Sequence, residues 1–151
     1  MLDDIDRRLL RRMQDQPDIA IPELAEAARV TLSQALRRVD KLRSSGVIRA
    51  TRAVIDWRAL GYEVEVSLRF TLAKPRRDAY LDAIAAAREV PEVIEIQTFL
   101  GKVDVRLNVI ARDMADYQRL YRTRILTLPH IADIEALMLV ATVKSEERLP
   151  I

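Results

Sequence analysis

The sequence predicts an α+β protein with two parts, an N-terminal winged helix-turn-helix domain and a C-terminal ferredoxin-like domain of β-α-β-β-α-β order. Two observations predict this class. Short helical patterns crowd into roughly the first fifty residues, and strand patterns then alternate with long helical patterns. We place the helix-turn-helix domain at residues 1–52, a linker strand at 53–61 and the ferredoxin-like domain at 62–151.

The first two helical patterns are short and have clear ends. Asp3 or Asp4 is suited to cap a helix that runs to Asp15, in which apolar residues recur at helical spacing. Pro17 ends this helix because proline cannot continue the hydrogen-bond ladder. Pro22 then suits the first turn of a second helix that ends near Ala28.

The third helical pattern has an apolar stripe and an opposite basic face. Thr31 is a good N-cap, and Gly46 suits the position just after the helix. Arginine and glutamine make paired hydrogen bonds to guanine and adenine edges in the major groove. We therefore expect this face to bind double-stranded DNA, although a solvated charged face is the simpler alternative. The residues of the face are Ser33, Gln34, Arg37, Arg38 and Lys41, and together with Thr31 at the N-cap they are the candidate DNA-binding residues of this helix.

Positive charge is concentrated around this helix, which favours DNA over the simpler alternative. Residues 29–52 hold seven lysines and arginines against one acid, Asp40, whereas the formal net charge of the whole chain is only +2. Residues 47–55 alternate enough to form a strand, either a wing or a tether. Its Arg49 and Arg52 are expected to contact phosphates. In the helix, Arg37 and Gln34 are expected to read bases, and Arg38 and Lys41 to contact phosphates.

The second part reads as four strands and two helices. The strands are expected at residues 63–72, 93–100, 103–109 and 134–143, with a tight turn at Gly101-Lys102. One helix begins at Pro75; the other is capped by Asp113 and has apolar residues along one face (Met114, Tyr117, Leu120, Tyr121 and Leu128). The fourth strand is apolar on both faces. A second copy of the sheet would cover it, which predicts a homodimer.

The composition excludes several kinds of site. The chain of 151 residues is 50% hydrophobic and has no cysteine, which excludes disulfides and thiolate metal sites. His130 is the sole histidine, so we expect neither a metal site nor a cofactor. The longest apolar run, residues 136–141, is too short for a membrane span, and the N-terminus has no signal-peptide pattern. We expect a cytoplasmic, nucleoid-associated protein.

These motifs, in this order, resemble the Lrp/AsnC family of transcription regulators. The resemblance begins at Leu2-Asp3-x-x-Asp6-x-x-Leu9-Leu10 and continues through Arg37-Arg38-Val39-x-x-Leu42 and Gly46-Val47-Ile48. In the second part it rests on Pro91-x-Val93, Gly101-x-x-Asp104, Asp113 with Tyr117, and Leu128-Pro129-x-Ile131. The turn before the third helix holds Arg29 where the family often has glycine, and Val103 stands where an aromatic residue is common.

The resemblance implies a regulator whose dimers assemble further, often to octamers, and whose DNA affinity responds to a small effector, commonly an amino acid. It places the effector near the Gly-x-x-Asp turn. A glycine turn exposes backbone N–H groups suited to a carboxylate, and an aspartate accepts from an ammonium group. The same residues also fit an ordinary hairpin turn. The candidate effector-binding residues are Leu100, Gly101, Lys102, Val103, Asp104 and His130.

Two other functions fit the same architecture. Some tetrapyrrole decarboxylases share it, but a single histidine and the lack of a basic cluster in the second part argue against an enzyme. A nucleoid-structuring protein that binds DNA with little sequence preference is the other alternative, which the sequence does not separate from a local regulator.

Overall fold

The computed structural model describes residues 2–73, 77–145 and 148–151, with Arg77 described by its backbone alone. The chain divides into two compact units, Met1–Val54 with Lys144–Ile151, and Ile55–Val143. The terminal segment groups with the first unit because it binds the first helix. The backbone N–H of Leu149 donates to Gln14 Oε1 at 2.6 Å, and Arg148 lies 2.9 Å from Asp15.

Three helices form the first unit, as the sequence predicts: α1 (Asp4–Asp15), α2 (Ile21–Ala28) and α3 (Leu32–Ser44). Their apolar stripes meet in one small core, which is built from Leu9, Leu24, Ala25, Ala28, Ala35 and Val39. The stripes recur at three and four residues, so each helix buries one side and exposes the other. This packing fixes α3 against α1 and α2.

The helix ends follow their local chemistry. Asp3 and Asp6 form a capping box at the start of α1, in which each side chain accepts from the other residue's backbone N–H. Gly46, just after α3, has φ 75°, the left-handed conformation expected there. Arg29 ends α2 at φ 54° and ψ 51°. An arginine thus occupies a left-handed position that glycine adopts without steric cost.

The strand that we predicted after α3 is wrong. All residues from 45 to 63 are described, and none of them is in a strand; residues 49–56 have no regular structure, and Arg58–Leu60 form a 3₁₀ turn. Alternation alone produces no strand when no neighbouring strand supplies a hydrogen-bond ladder. The linker strand at 53–61 is therefore an irregular connection within the single chain.

The second unit is a four-stranded antiparallel sheet with two helical segments. The strands are β1 (Val64–Leu72), β2 (Val93–Thr98), β3 (Val105–Ala111) and β4 (Ile131–Met138), in the order β2-β3-β1-β4. The helices are α4 (Arg77–Arg88) and α5 (Met114–Leu120). The chain order and the sheet order together confirm the ferredoxin-like prediction. The start expected for α4, at Pro75, lies outside the described residues. Among the residues that are described, no helix is both long and apolar enough to cross a bilayer.

The core of this unit lies on one face of the sheet. Alternate residues of β1 and β3, including Leu68 and Leu107, pack there against Ala87, Leu120 and Ile125 from the helical segments. The opposite face of β1 carries Glu65, Ser67 and Arg69. β4 begins and ends earlier than the predicted 134–143, because its ladder with β1 runs from Ile131 to Met138.

A π-helical turn, Tyr121–Ile125, continues α5 and changes which residues face the core. In an unbroken α-helix, Arg124 would follow Tyr117 and Tyr121 at steps of three and four residues. The wider turn brings Ile125 inward instead, with 0% exposure, while Arg124 is exposed. At the other end of the segment, Met114 is 43% exposed, so its predicted place on the buried face is wrong.

Candidate DNA-binding helix and candidate effector site

The side of α3 away from the core carries polar and basic side chains, whereas three apolar residues of the helix are buried and two, Leu32 and Leu36, are 49% and 44% exposed. Ala35, Val39 and Leu42 are buried, whereas Ser33, Gln34, Arg37 and Lys41 are exposed. These four side chains form what we call the outer face of α3. A helix that is fixed by its apolar stripe and exposes such a face has the form of the recognition helix of a helix-turn-helix.

The start of α3 is closed by a capping box that includes a predicted base-reading residue. Gln34 N–H donates to Thr31 Oγ1 at 3.3 Å, and Thr31 N–H donates to Gln34 Oε1 at 3.1 Å. Thr31 Oγ1 also lies 3.3 Å from Ser33 Oγ. Thr31 therefore acts as the predicted N-cap. The side-chain oxygen of Gln34 therefore accepts a hydrogen bond from the backbone at the start of α3.

Arg38 lies beside the outer face of α3 and is bound to α1. Its Nη1 lies 2.7 Å from both carboxylate oxygens of Asp3 and 2.8 Å from Asp6 Oδ1. The Asp6 backbone N–H, and after it the Arg38 guanidinium, hold the pKa of Asp3 below its ordinary value. Asp6 is only 6% exposed. The structure thus gives Arg38 two intramolecular carboxylate partners, and its expected phosphate contact stays a prediction.

The two arginines that follow α3 are exposed. Arg49 and Arg52 lie in the segment after Gly46, at residues where we expected a strand. Because this segment has no ladder, the alternation of side chains along a strand does not determine which way they face. Arg37 and Lys41, by contrast, are positioned together on one surface by a regular helix.

The candidate effector turn is longer than predicted. Phe99 N–H donates to Asp104 O at 3.0 Å, so the β2–β3 connection spans residues 99–104 instead of two central residues. Leu100 is fully exposed at its tip, and Gly101 has φ 152°. Val103, expected in a strand, belongs to this connection. The carbonyl of Lys102 accepts from Thr71 Oγ1 at 3.3 Å, which ties the turn to β1.

Asp104 and His130 meet at the same end of the sheet. Asp104 Oδ2 accepts from Leu72 N–H at 2.8 Å, and the His130 carbonyl accepts from Ala73 N–H at 2.8 Å. The two residues come from connections that precede β3 and β4, which flank β1 on opposite sides. Two of the predicted effector segments therefore converge on the last residues of β1.

His130 also contacts α4, which the sequence did not indicate. Its Nε2 lies 3.3 Å from Asp82 Oδ2, and its backbone has φ 63°. Both side chains are largely exposed. Asp82 is 48 residues away in sequence, so no local pattern could link it to this site.

The face of the sheet opposite its core, which we call the open face, carries polar pairs and apolar side chains. Asn108 Nδ2 donates to Glu65 Oε1 at 2.7 Å, and Arg106 Nη2 lies 3.2 Å from Glu95. Leu137 and Leu139, from β4 and the residues just after it, are each 38% exposed. This face is mixed in character, as the patterns of β1 and β4 predict.

The capped basic helix and the four-stranded sheet together define a DNA-binding transcription regulator with a second, ligand-binding domain. Residues 2–49 match the winged helix-turn-helix DNA-binding family, and residues 65–149 match the Lrp/AsnC ligand binding domain. The chain belongs to the Lrp/AsnC family of transcription regulators.

Relatives and solved structures cover nearly the whole chain. A leucine-responsive regulatory protein of Rhizobium meliloti is 33% identical over 144 residues, which is 95% of this chain and 92% of that protein. An AsnC family transcriptional regulator from Agrobacterium tumefaciens has a TM-score of 0.89 at 28% identity, over 99% of this chain and 97% of that one. The transcriptional regulator NMB0573 from Neisseria meningitidis, solved with L-Met, has a TM-score of 0.91 at 23% identity and covers 99% and 97% of the two chains; it shows the shared fold.

Proposed function

We propose that this regulator binds specific operator DNA as a dimer, with α3 of each protomer in the major groove. The observation that carries the proposal is the exposure of Arg37 and Lys41 on a helix that is held on its other side by buried Ala35, Val39 and Leu42. Arg37 follows the first turn of α3, where recognition helices contact base edges, and it reads a base. Lys41, one turn further on, contacts a phosphate, as do Arg49 and Arg52 after the helix.

Arg38 has a different task in this proposal. Its guanidinium already binds two carboxylates of α1, so moving it to a phosphate would leave the nearly buried Asp6 without its cation. Such a charge is costly to leave unpaired. Arg38 therefore acts as a positioning residue that sets α3 against α1.

The effector in this proposal is an amino acid, bound at the sheet end that carries residues 100–104 and His130. The Rhizobium meliloti relative is named for its response to leucine. Asp104 uses Oδ2 for the backbone of β1, and within the described part of the chain its Oδ1 accepts no hydrogen bond. That oxygen is available for an ammonium group, and the N–H groups of the turn for a carboxylate.

The open face of the sheet is the proposed dimer interface. Leu137 and Leu139 supply apolar area, while the Glu65–Asn108 and Glu95–Arg106 pairs have already satisfied much of their own hydrogen bonding. Paired polar groups cost less to bury than unpaired ones. Such dimers then assemble further, four of them to an octamer or a related disc, and the effector changes DNA affinity by changing this assembly.

We further propose that the protein acts by binding alone, without catalysis, at the nucleoid in the cytoplasm where its DNA target is found. Its relatives are named transcription regulators. An absorbance titration with a haem-type tetrapyrrole tests the enzyme alternative, and we expect no saturable spectral shift. A tight shift would support the decarboxylase-like function instead.

The test of specific DNA binding compares the protein's own promoter with random DNA of equal length at one salt concentration. We expect the promoter to bind about 10³-fold or more tightly, as specific regulators do. The logarithm of affinity should fall with the logarithm of salt by about 0.9 per phosphate contacted. Equal affinity for both DNAs would contradict a local regulator and favour a nucleoid-structuring protein.

Size-exclusion chromatography with light scattering tests the interface. Leu137→Asp places a charge on the open face and should convert the assembly to monomers. Leu126→Asp, at an exposed position in the turn after α5, is the matched control and should leave the assembly unchanged. Loss of assembly in both variants, or in neither, would contradict the proposed face.

A further inference from the structure

Gln34 is a side chain on the outer face of α3 whose amide is engaged in a hydrogen bond within the fold. It is exposed and lies in the first turn, among the residues placed to meet a base edge. Its oxygen, however, already accepts from the Thr31 backbone N–H at 3.1 Å. This inference rests on the DNA-binding role proposed above for the outer face.

Reading adenine requires both ends of a glutamine amide. Adenine presents N7 as an acceptor and N6 as a donor, so the amide must offer its nitrogen and its oxygen to the same base edge. The amide is planar, and in Gln34 the oxygen is bonded back to the start of the helix. This bond directs the oxygen, which could accept a second hydrogen bond, toward the start of the helix, so the nitrogen is the end of the amide left for a base, and it can only donate.

The capping box stabilises this orientation of the Gln34 amide. The first N–H groups of a helix have no partner within the helix, and here the side chains of Thr31 and Gln34 each satisfy one of them. Turning the Gln34 oxygen toward a base would leave the Thr31 N–H without its acceptor. A base contact by the nitrogen alone keeps both capping bonds.

We propose that Gln34 acts as a donor-only specificity residue. It accepts base edges that present an acceptor, namely guanine N7 or O6, adenine N7 and thymine O4, and it discriminates against cytosine, whose N4 is a donor. It therefore does not select adenine over guanine. Among the residues of the outer face, strong selection for a single base is left to Arg37.

The variant Gln34→Glu separates the two roles of this side chain. Glutamate keeps an acceptor for the Thr31 N–H, and its charge is favourable near the start of a helix, so thermal stability should be retained or raised. It has no donor. Gln118→Glu introduces the same charge change at an exposed position in α5 and is the matched control.

The experiment selects binding sites from a random double-stranded DNA pool, using the full chain as wild type, Gln34→Glu and Gln118→Glu at one salt concentration. We expect one base pair of each half-site to differ between the wild type and Gln34→Glu alone. The wild type should exclude cytosine there and tolerate guanine, adenine and thymine. Gln34→Glu should prefer cytosine by at least about fivefold, the lower range for one base contact.

Two results would overturn the inference and leave the proposed function intact. One is a wild-type preference for adenine at that base pair that Gln34→Glu loses, because it requires both ends of the amide. The other is an identical selected sequence for the wild type and Gln34→Glu, because Gln34 would then contact no base. A third result, no enriched sequence for the wild type, would overturn the proposed sequence-specific function together with this inference.

Discussion

The outer face of α3 and the sheet end that holds Asp104 differ in what fixes their side chains. On α3, Arg37 and Lys41 extend from a regular helix that is held by its opposite side, and within the described ranges 2–73, 77–145 and 148–151 neither side chain has a hydrogen-bond or ion-pair partner. At the sheet end, Asp104 and the His130 backbone are themselves hydrogen-bonded to β1. Changes at Arg37 or Lys41 can therefore affect DNA binding alone, whereas changes at the sheet end are expected to affect both the architecture and the proposed ligand binding.

The largest effect is expected in the core of the second unit. Ile125→Ala should lower the free energy of unfolding by about 2–5 kcal/mol, because Ile125 is fully buried and its removal leaves a cavity. Arg124→Ala, at the exposed neighbouring position, should change it by less than about 0.5 kcal/mol. Urea unfolding measures both. Equal losses would mean that the π-helical turn does not exchange the two positions in solution.

A smaller effect is expected at Asp104. The stability of variants at this position tests whether its side chain supports the fold at the sheet end. Asp104→Ala removes the acceptor of the buried Leu72 N–H and should cost about 1–3 kcal/mol of unfolding free energy. Asp104→Asn keeps a side-chain carbonyl for that N–H and should cost much less. Both variants should lose the shift in melting temperature that an amino-acid effector produces by binding the folded state. If Asp104→Ala is as stable as the wild type, the side chain of Asp104 does not support the fold, and the proposed difference between the two regions is wrong.

The smallest effect is expected in the turn before α3. Arg29→Gly relieves a left-handed residue and should raise the free energy of unfolding by roughly 0.5–1 kcal/mol, after the greater freedom of glycine in the unfolded chain is subtracted. Arg29→Ala retains the strain and should give no gain. Thermal unfolding distinguishes the two. A gain of the same size for alanine would mean that the arginine side chain, and not the backbone, carries the cost.

The sequence predicts regular elements well because their signals are local. The three helices of the first unit, the caps at Asp3 and Thr31 and the glycine at 46 all follow from residues within one or two turns. The order of strands and helices along the second unit can also be predicted, because alternation marks the strands and prolines mark the ends of the helices. Both parts of the chain could therefore be assigned to a fold class without a structure.

What the sequence could not predict depends on partners far along the chain. The contacts of Arg38 with Asp3 and Asp6 cross 35 and 32 residues, and that of Asp104 with Leu72 crosses 32. The strand expected after α3 failed for the same reason, since a ladder needs a second strand. The inward turn of Ile125 depends on a helix that departs from the α period, which pattern counting assumes.

The central claim is that adjacent arginines of α3 have separate tasks, Arg37 in reading DNA and Arg38 in holding the helix. The direct measurement compares Arg37→Ala and Arg38→Ala by thermal unfolding and by affinity for the selected operator. We expect Arg37→Ala to melt like the wild type and to lose specific affinity by roughly 5- to 150-fold. Arg38→Ala should lower the melting temperature while its folded fraction still prefers the same sequence. The reverse pattern, with an unstable Arg37→Ala and a stable Arg38→Ala that has lost sequence preference, would contradict the account.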